Sequence, residues 1–404
     1  MKKFSFAILA ALATAGLVAA TSGASTSHAG GPGVFGGSRV VGQLYINDNT
    51  TPVNTVAGFD RHADGTLTPI PGSPFAVGGA GTGAGIASQG ALQLSADRRY
   101  LLAVDGGSNQ ISVARIMPGG SLQIAGGGPV SSNGANPVSI AVHGPLVYVA
   151  NQGTMTSTGE TNYTGFVLGP FGNLHPLPGS TVTLPDTDKP GDVLFNTDGT
   201  RLIGTRIASS LIDSFTVGFF GHLTAAPGSP FSAQGFAPPQ GYGQLGSEFS
   251  PTNPNLLFVS DAHTAAGGPA GPPGLVSSFI DGPNGALTPI AGSPFQNDGD
   301  ASCWIEISRD GRHLFVVNTA SQTISSYSIA FNGALTFLQS TPSPDLGAGP
   351  EDARLSPDGS TLWVVDAGAD EVSGFSVSGG TLTPLPSSPT PIPAGAKPAG
   401  IVTT

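Results

Sequence analysis

The sequence predicts an all-β protein: one seven-bladed β-propeller with four antiparallel strands per blade. Its last blade is closed by the N-terminal strands together with a C-terminal inner strand. Three observations lead there. First, GALTPIAGSPF (residues 285–295) has near copies in GTLTPIPGSPF (65–75) and GHLTAAPGSPF (221–231). A looser form recurs with its leucine at Leu67, Leu122, Leu174, Leu223, Leu287, Leu335 and Leu382, spaced 47 to 64 residues apart, and such a period marks a repeat architecture. Second, each unit repeats one pattern of short β-branched and aromatic runs separated by Gly, Pro and Asp turns. Third, no helical periodicity interrupts that pattern beyond the leader.

The unit beginning at Trp304 shows the pattern. WIEIS is a strand, SRDGR a turn whose Asp-Gly supplies a positive φ, and HLFVVN a second strand. TASQ is a loop, TISSYSI a third strand, FNGA a turn and ALTFL a fourth strand. The next unit follows suit with DARLS, SPDGS, TLWVVD, AGAD, EVSGFSV, SGG and TLTPL. Four antiparallel strands in about fifty residues make a propeller blade. An open stack would need polar end caps, and none is present. The chain ends instead in a lone strand, PAGIVTT, and begins with RVVGQLYIND, TVAGFDR and TLTPI, which read as strands two to four of one blade. The repeated eleven-residue segment is then an outermost strand. Its Thr-Pro tolerates the free edge, Gly-Ser-Pro turns the chain inward, and the following Phe packs between blades.

Residues 1–29 read as an export signal: Lys2 and Lys3, an apolar run over residues 6–20, then Ser27-His28-Ala29 with signal-peptidase spacing. The apolar run is shorter than the ~20 residues that span a bilayer. An uncleaved anchor is the alternative. Residues 30–38 form a flexible segment and 39–404 the propeller, so a secreted, extracellular or periplasmic protein is expected, with no later membrane span and as a monomer. Cutting after Ala29 removes Lys2 and Lys3 from the 14 basic residues and none of the 25 acidic ones, taking the net charge from −11 to −13. That charge disfavours nucleic acid and an anionic lipid surface. Cys303 is the only cysteine, so no internal disulfide or four-cysteine zinc site is possible.

One face of such a propeller carries the short turns and the other the long loops, over residues 76–90, 151–163, 181–192, 232–246 and 261–274. A site is expected on the long-loop face, around the channel. The second strands end there at Asp48, Asp105, Asn151, Arg206, Asp261, Asn318 and Asp366. Asp and Asn at such positions bond nearby backbone and start loops; alternatively they ring the channel mouth. Arg206 breaks the series and either pairs with an acid or holds an anionic group. Asp192, Tyr242, Asp300, Trp304, Glu351, Asp352 and Lys397 lie where inner strands begin. Asp300 and Trp304 would suit a sugar, with a core role open for Trp304. Candidate ligand-binding residues are therefore Asp192, Arg206, Tyr242, Asp261, Asp300, Trp304 and Asp352, and candidate catalytic residues Arg206, Asp261 and Glu351. His263 sits beside Asp261, while His143 falls near the short turns. No metal site or cofactor is expected. Ca²⁺ is left open by Asp186, Asp188 and Asp192 and by Asn297, Asp298 and Asp300, neither of which matches a calcium loop. A small polar ligand, a glycan or a protein is the expected partner.

ISRDGRHLFVVNTASQTISSYSIAFNGALTFL (residues 307–338) and LSPDGSTLWVVDAGADEVSGFSVSGGTLTPL (355–385) resemble blades of the lactonase family of seven-bladed propellers. That family includes bacterial 6-phosphogluconolactonases and fungal carboxymuconate cyclases. The resemblance covers the chain from about Arg39 and overlaps with surface-protein repeats of the YVTN type. It implies a lactonase-type, ester-opening activity at the channel mouth. The family's enzymes place a His after Pro, an Arg-His pair after Gly-Pro, and a Glu after a strand-ending Asn. Here Asn136-Pro137-Val138 and Gly349-Pro350-Glu351-Asp352 stand at the first two positions, and no Glu stands at the third. No catalytic residue carries over.

Overall fold

The computed structural model describes residues 38–154, 158–232, 243–262, 274–345 and 347–404. The signal reading and Tyr242 and His263 lie outside them. The described chain forms seven antiparallel sheets, each ordered from an inner strand outward. Blade 1 is the closing blade, and blades 2 to 7 follow in chain order with inner strands beginning at Leu92, Pro137, Pro190, Gly243, Ser302 and Pro350. The inner strand of blade 1 is Ile401–Thr403, laid against Val40–Asn47, which pairs in turn with Thr55–His62 and Leu67–Pro69. Leu44, Tyr45 and Ile46 face Thr403, Val402 and Ile401 in the ladder. The Arg61 guanidinium also donates to the Thr404 carbonyl at 2.7 Å. The closure joins head to tail and leaves the ring without a free inner edge.

The repeated segment has a different role from the one expected. Gly-Ser-Pro does not carry the chain to the next blade; it interrupts the outermost strand. In blade 1 that strand pairs with the third strand over Leu67–Pro69, bends away, and returns over Phe75–Ala76 to pair with Thr55 and Val56. The bend leaves two residues of the third strand, Ala57 and Gly58, without a partner in the outermost strand, and Gly58 turns its backbone groups toward the bend. Ile70 donates to its carbonyl at 2.9 Å, and its N–H donates to the Ser73 hydroxyl at 2.8 Å. The serine substitutes for the missing strand, since a buried backbone N–H must be paired. Ser180, Ser229, Ser293 and Ser388 do the same for Gly165, Ser214, Ser278 and Gly374. The Phe of the segment packs between blades as expected: half-buried Phe75 lies against a cluster of Tyr45, Val56 and Ile70 of blade 1 with Leu92 and Leu101 of blade 2, and Gly58 leaves it room, since a Cβ there would meet Phe75 and Ile70 at 3.0 and 3.2 Å. Blade 6 lacks Gly-Ser-Pro, and its fourth strand runs unbroken over Leu335–Pro342.

The core lies between blades, where the alternating inward residues of neighbouring sheets meet. The turns from inner to second strand and from third to fourth gather at one end and the long loops at the other. This places the channel mouth among residues 76–90, the loop after Asn151 and the starts of the inner strands.

Candidate functional site

The strand-ending residues at the mouth share one local design. Each faces back onto the third strand of its own blade, seven residues on where the loop is short. Asp105 accepts the Ser112 hydroxyl at 2.5 Å, Asp366 accepts Ser373, and Asn318 donates to Ser325 at 2.9 Å. Asp261 accepts Ser277 at 2.7 Å and the Gln244 amide at 3.2 Å. These carboxyls are buried, and burial pushes Asp105 up to about 6 and Asp48, Asp261 and Asp366 up to about 7, the hydroxyl bonds pulling the other way.

Arg206 occupies the same position in blade 4, with Asp213 where blades 2, 5, 6 and 7 have serine. Its Nε and Nη2 grip the two Asp213 oxygens at 2.6 and 2.5 Å, and Nη1 reaches Asp188 at 2.5 Å. Burial alone would lower its pKa; the Asp213 carboxylate reverses that and holds the guanidinium firmly charged. Neither Asp261 nor Glu351 is among its partners. Asp213 escaped the sequence reading. The signal for it was internal: aligning the blades puts Arg–Asp where blades 2 and 7 have Asp–Ser at the same spacing.

Asp192 is buried and bridges three blades. It accepts Ser139 of blade 3 at 3.0 Å and the Ser247 N–H and hydroxyl of blade 5 at 2.9 and 2.6 Å. Burial pushes its carboxyl up to about 7. Asp352 accepts the Gly400 N–H, tying blade 7 to blade 1. Trp304 is wholly buried, packed with Phe315 and Leu362, and Arg354 lies 5.7 Å over its ring. Asp300 is half-buried; its N–H donates to Ser321 at 3.0 Å. Glu351 is half-buried with no hydrogen bond to its carboxyl among the described residues, and burial pushes it up to about 7. Among the described residues, no group of three His, Cys, Asp or Glu converges on a point that could hold a metal.

The channel itself is stoppered. The stretch 86–90 crosses it: Ser88 donates to Val138 of blade 3 and the Gln89 N–H to Gly191 of blade 4, both at 2.9 Å. The Gln89 side chain donates to the Ser247 carbonyl of blade 5 at 2.9 Å and accepts the Ile305 N–H of blade 6 at 3.1 Å. One step deeper along the inner strands, Glu306 accepts Arg354 at 3.0 Å and the Leu355 N–H at 3.1 Å. Glu248 faces the same group; burial and then the Glu306 charge raise its pKa, and Arg354 opposes them. A loop glutamine carries no sequence signal for such a contact, because its partners lie 158 and 216 residues away.

Charge divides between the two ends. Among the described cationic residues only Lys189, Arg206 and Lys397 stand at the long-loop end and Arg354 in the channel; the rest, all arginine, stand at the short-turn end. The acidic surplus therefore belongs to the long-loop face.

A family model described as the seven-bladed β-propeller lactonase matches residues 248–398. Three solved structures are similar over nearly the whole chain, each 18% identical. They are candidate 6-phosphogluconolactonases of Bacteroides fragilis (TM-score 0.69, covering 92% of this chain and 99% of that one) and Bacteroides uniformis (0.68, 90% and 99%), and the periplasmic gluconolactonase of Pseudomonas aeruginosa (0.67, 90% and 99%). No curated protein sequence matches the chain. Among the described residues no helix is long and apolar enough to cross a membrane. The described residues thus form a seven-bladed β-propeller, and over residues 248–398 the chain matches the lactonase family of that fold.

Proposed function

We propose that this is an exported propeller that binds a small polar ligand, a glycan or a partner protein on its long-loop face and does not turn it over. The observation that carries this reading is the state of Arg206. The one arginine among the described residues of the mouth is held on both sides, by Asp213 and by Asp188, so its charge is already spent inside the fold. A lactone's carboxylate or phosphate would have to displace two carboxylates from a buried guanidinium. The Gln89 stopper closes the channel beneath, leaving the loop rim as the recognition surface. The leader at residues 1–29 supports export, as does the likeness to a periplasmic neighbour.

The test is a panel of simple and phosphorylated sugar lactones, assayed with and without EDTA. No hydrolysis above the spontaneous rate is expected, while some sugars or glycans raise the melting temperature. Turnover abolished by Arg206→Ala in a folded variant would overturn the reading.

A second reading has its own support. Glu351 stands at the start of an inner strand, unpartnered among the described residues and raised to about 7, which suits a general base that activates water on a cyclic ester. It predicts ester opening that is lost in Glu351→Gln and falls below pH 7.

A further inference from the structure

The short-turn end carries an apolar feature that neither reading uses. Four phenylalanines stand at the tips of the turns between third and fourth strands on blades 3, 4 and 6: Phe171, Phe219, Phe220 and Phe331 are 78%, 97%, 77% and 99% exposed. Blade 5, between them, offers Pro283 at its own tip, and Val40 and Val41 are exposed at the same end. Single exposed apolar residues are ordinary; nearly bare phenylalanines on adjoining blades at one end are not. The tips are held rigidly. Tyr100 donates to the Pro170 carbonyl beside Phe171, and Tyr148 to Gly221 beside Phe220, both at 2.9 Å. The Phe331 turn is closed by the Ala330 and Gly333 N–H groups.

The charges of this end differ from those of the whole chain. Arg39, Arg98, Arg99, Arg115, Arg309 and Arg312 are all exposed here. Its exposed turn aspartates, Asp64, Asp97, Asp198, Asp310 and Asp358, stay ionised on the N–H groups of their own turns, so this end is near charge balance while the acidic surplus sits at the other. Beside Phe331 a concavity of 590 Å³ between blades 5 and 6 is lined by Asp310, Arg312 and His313. Net charge disfavours an anionic surface, but its distribution makes this face the exception. The acidic long-loop end would be repelled and would turn the molecule so that the phenylalanines meet the lipid.

We propose that the short-turn face docks peripherally on an anionic lipid bilayer, with Phe171, Phe219, Phe220 and Phe331 entering the interface and the exposed arginines meeting headgroup phosphates. Rigid aromatic tips flanked by arginine are what such an interface takes up. The long-loop face then points away from the membrane and stays open to its ligand.

The experiment is flotation of the propeller from Ser38 onward, lacking the apolar run, with vesicles of phosphatidylcholine and phosphatidylglycerol. The protein is expected to float. Phe219→Ser with Phe220→Ser and Phe331→Ser should cut the bound fraction about tenfold or more without lowering the melting temperature, because these rings contact little. Arg98→Glu with Arg312→Glu should remove the dependence on phosphatidylglycerol. A wild-type protein that stays in the dense fraction would overturn the proposal, as would a triple variant that floats equally well. Self-association through the phenylalanines without flotation, or binding to an acidic polysaccharide but not to vesicles, would also overturn it.

Discussion

Asp310, in a short turn, accepts the Ser308 hydroxyl at 2.6 Å and the Arg312 N–H at 3.1 Å, in full contact with water. Asp261, at the end of a second strand by the long loops, accepts Ser277 and Gln244 in a wholly buried setting. The Ser308 bond holds the first carboxyl below its ordinary value, while burial pushes the second up to about 7. The same division holds for Asp97 and Asp358 against Asp48 and Asp366. Both sets bind hydroxyls, so hydrogen bonding does not separate them; access to water does. The short-turn end spends its aspartates on exposed turns. The long-loop end buries them as staples between second and third strands, and Arg206 with Asp213 is the charged version of that staple.

The comparison breaks most sharply at the charged staple. Asp213→Ala leaves Arg206 buried beside Asp188 alone and is expected to cost about 3–5 kcal/mol in urea unfolding. Replacing the pair together, Arg206→Asp with Asp213→Ser, writes the blade 2 staple into blade 4. That double variant should recover most of the loss, a coupling a double-mutant cycle reads directly. At a neutral staple, Ser277→Ala removes a hydroxyl from buried Asp261 and should cost about 1–3 kcal/mol. Ser293→Ala, which strips the Ser278 N–H of its bulge cap, belongs in the same range. At the other end, Asp310→Ala should cost under about 1 kcal/mol, since water replaces the turn bonds.

The pH dependence sharpens the contrast. A carboxyl near 7 in the folded state and ~3.9 unfolded keeps a proton that unfolding releases. The unfolded chain then binds fewer protons, so stability falls as pH rises from ~4 towards 7 and levels above it. The turn aspartates work the other way: their contribution is present above ~3.9 and fades as pH drops through their lowered values, weakly because they are exposed. Denaturant midpoints should therefore be higher at pH 5 than at pH 8.

The blade grammar was legible because turn chemistry and strand periodicity repeat within one chain, and ring closure followed from the unpaired terminal strand. The Gly-Ser-Pro bulge was not, because its reason is a lone N–H on a neighbouring strand. Asp213 was legible in principle, by aligning blades. The Gln89 stopper was not: loop residues carry no periodicity, and its partners come together only when the ring closes. The gathering of acids at the long-loop end was not legible in the whole-chain charge, since a sum says nothing about where its parts stand.

The central claim is that the long-loop aspartates belong to the fold as buried staples rather than to a reactive, water-filled site. Carboxyl carbon shifts of Asp261, followed by nuclear magnetic resonance from pH 3 to pH 9, test it most directly. The account predicts titration near 7, moving higher still in Ser277→Ala. Titration at or below the ordinary aspartate value of ~3.9 would contradict it.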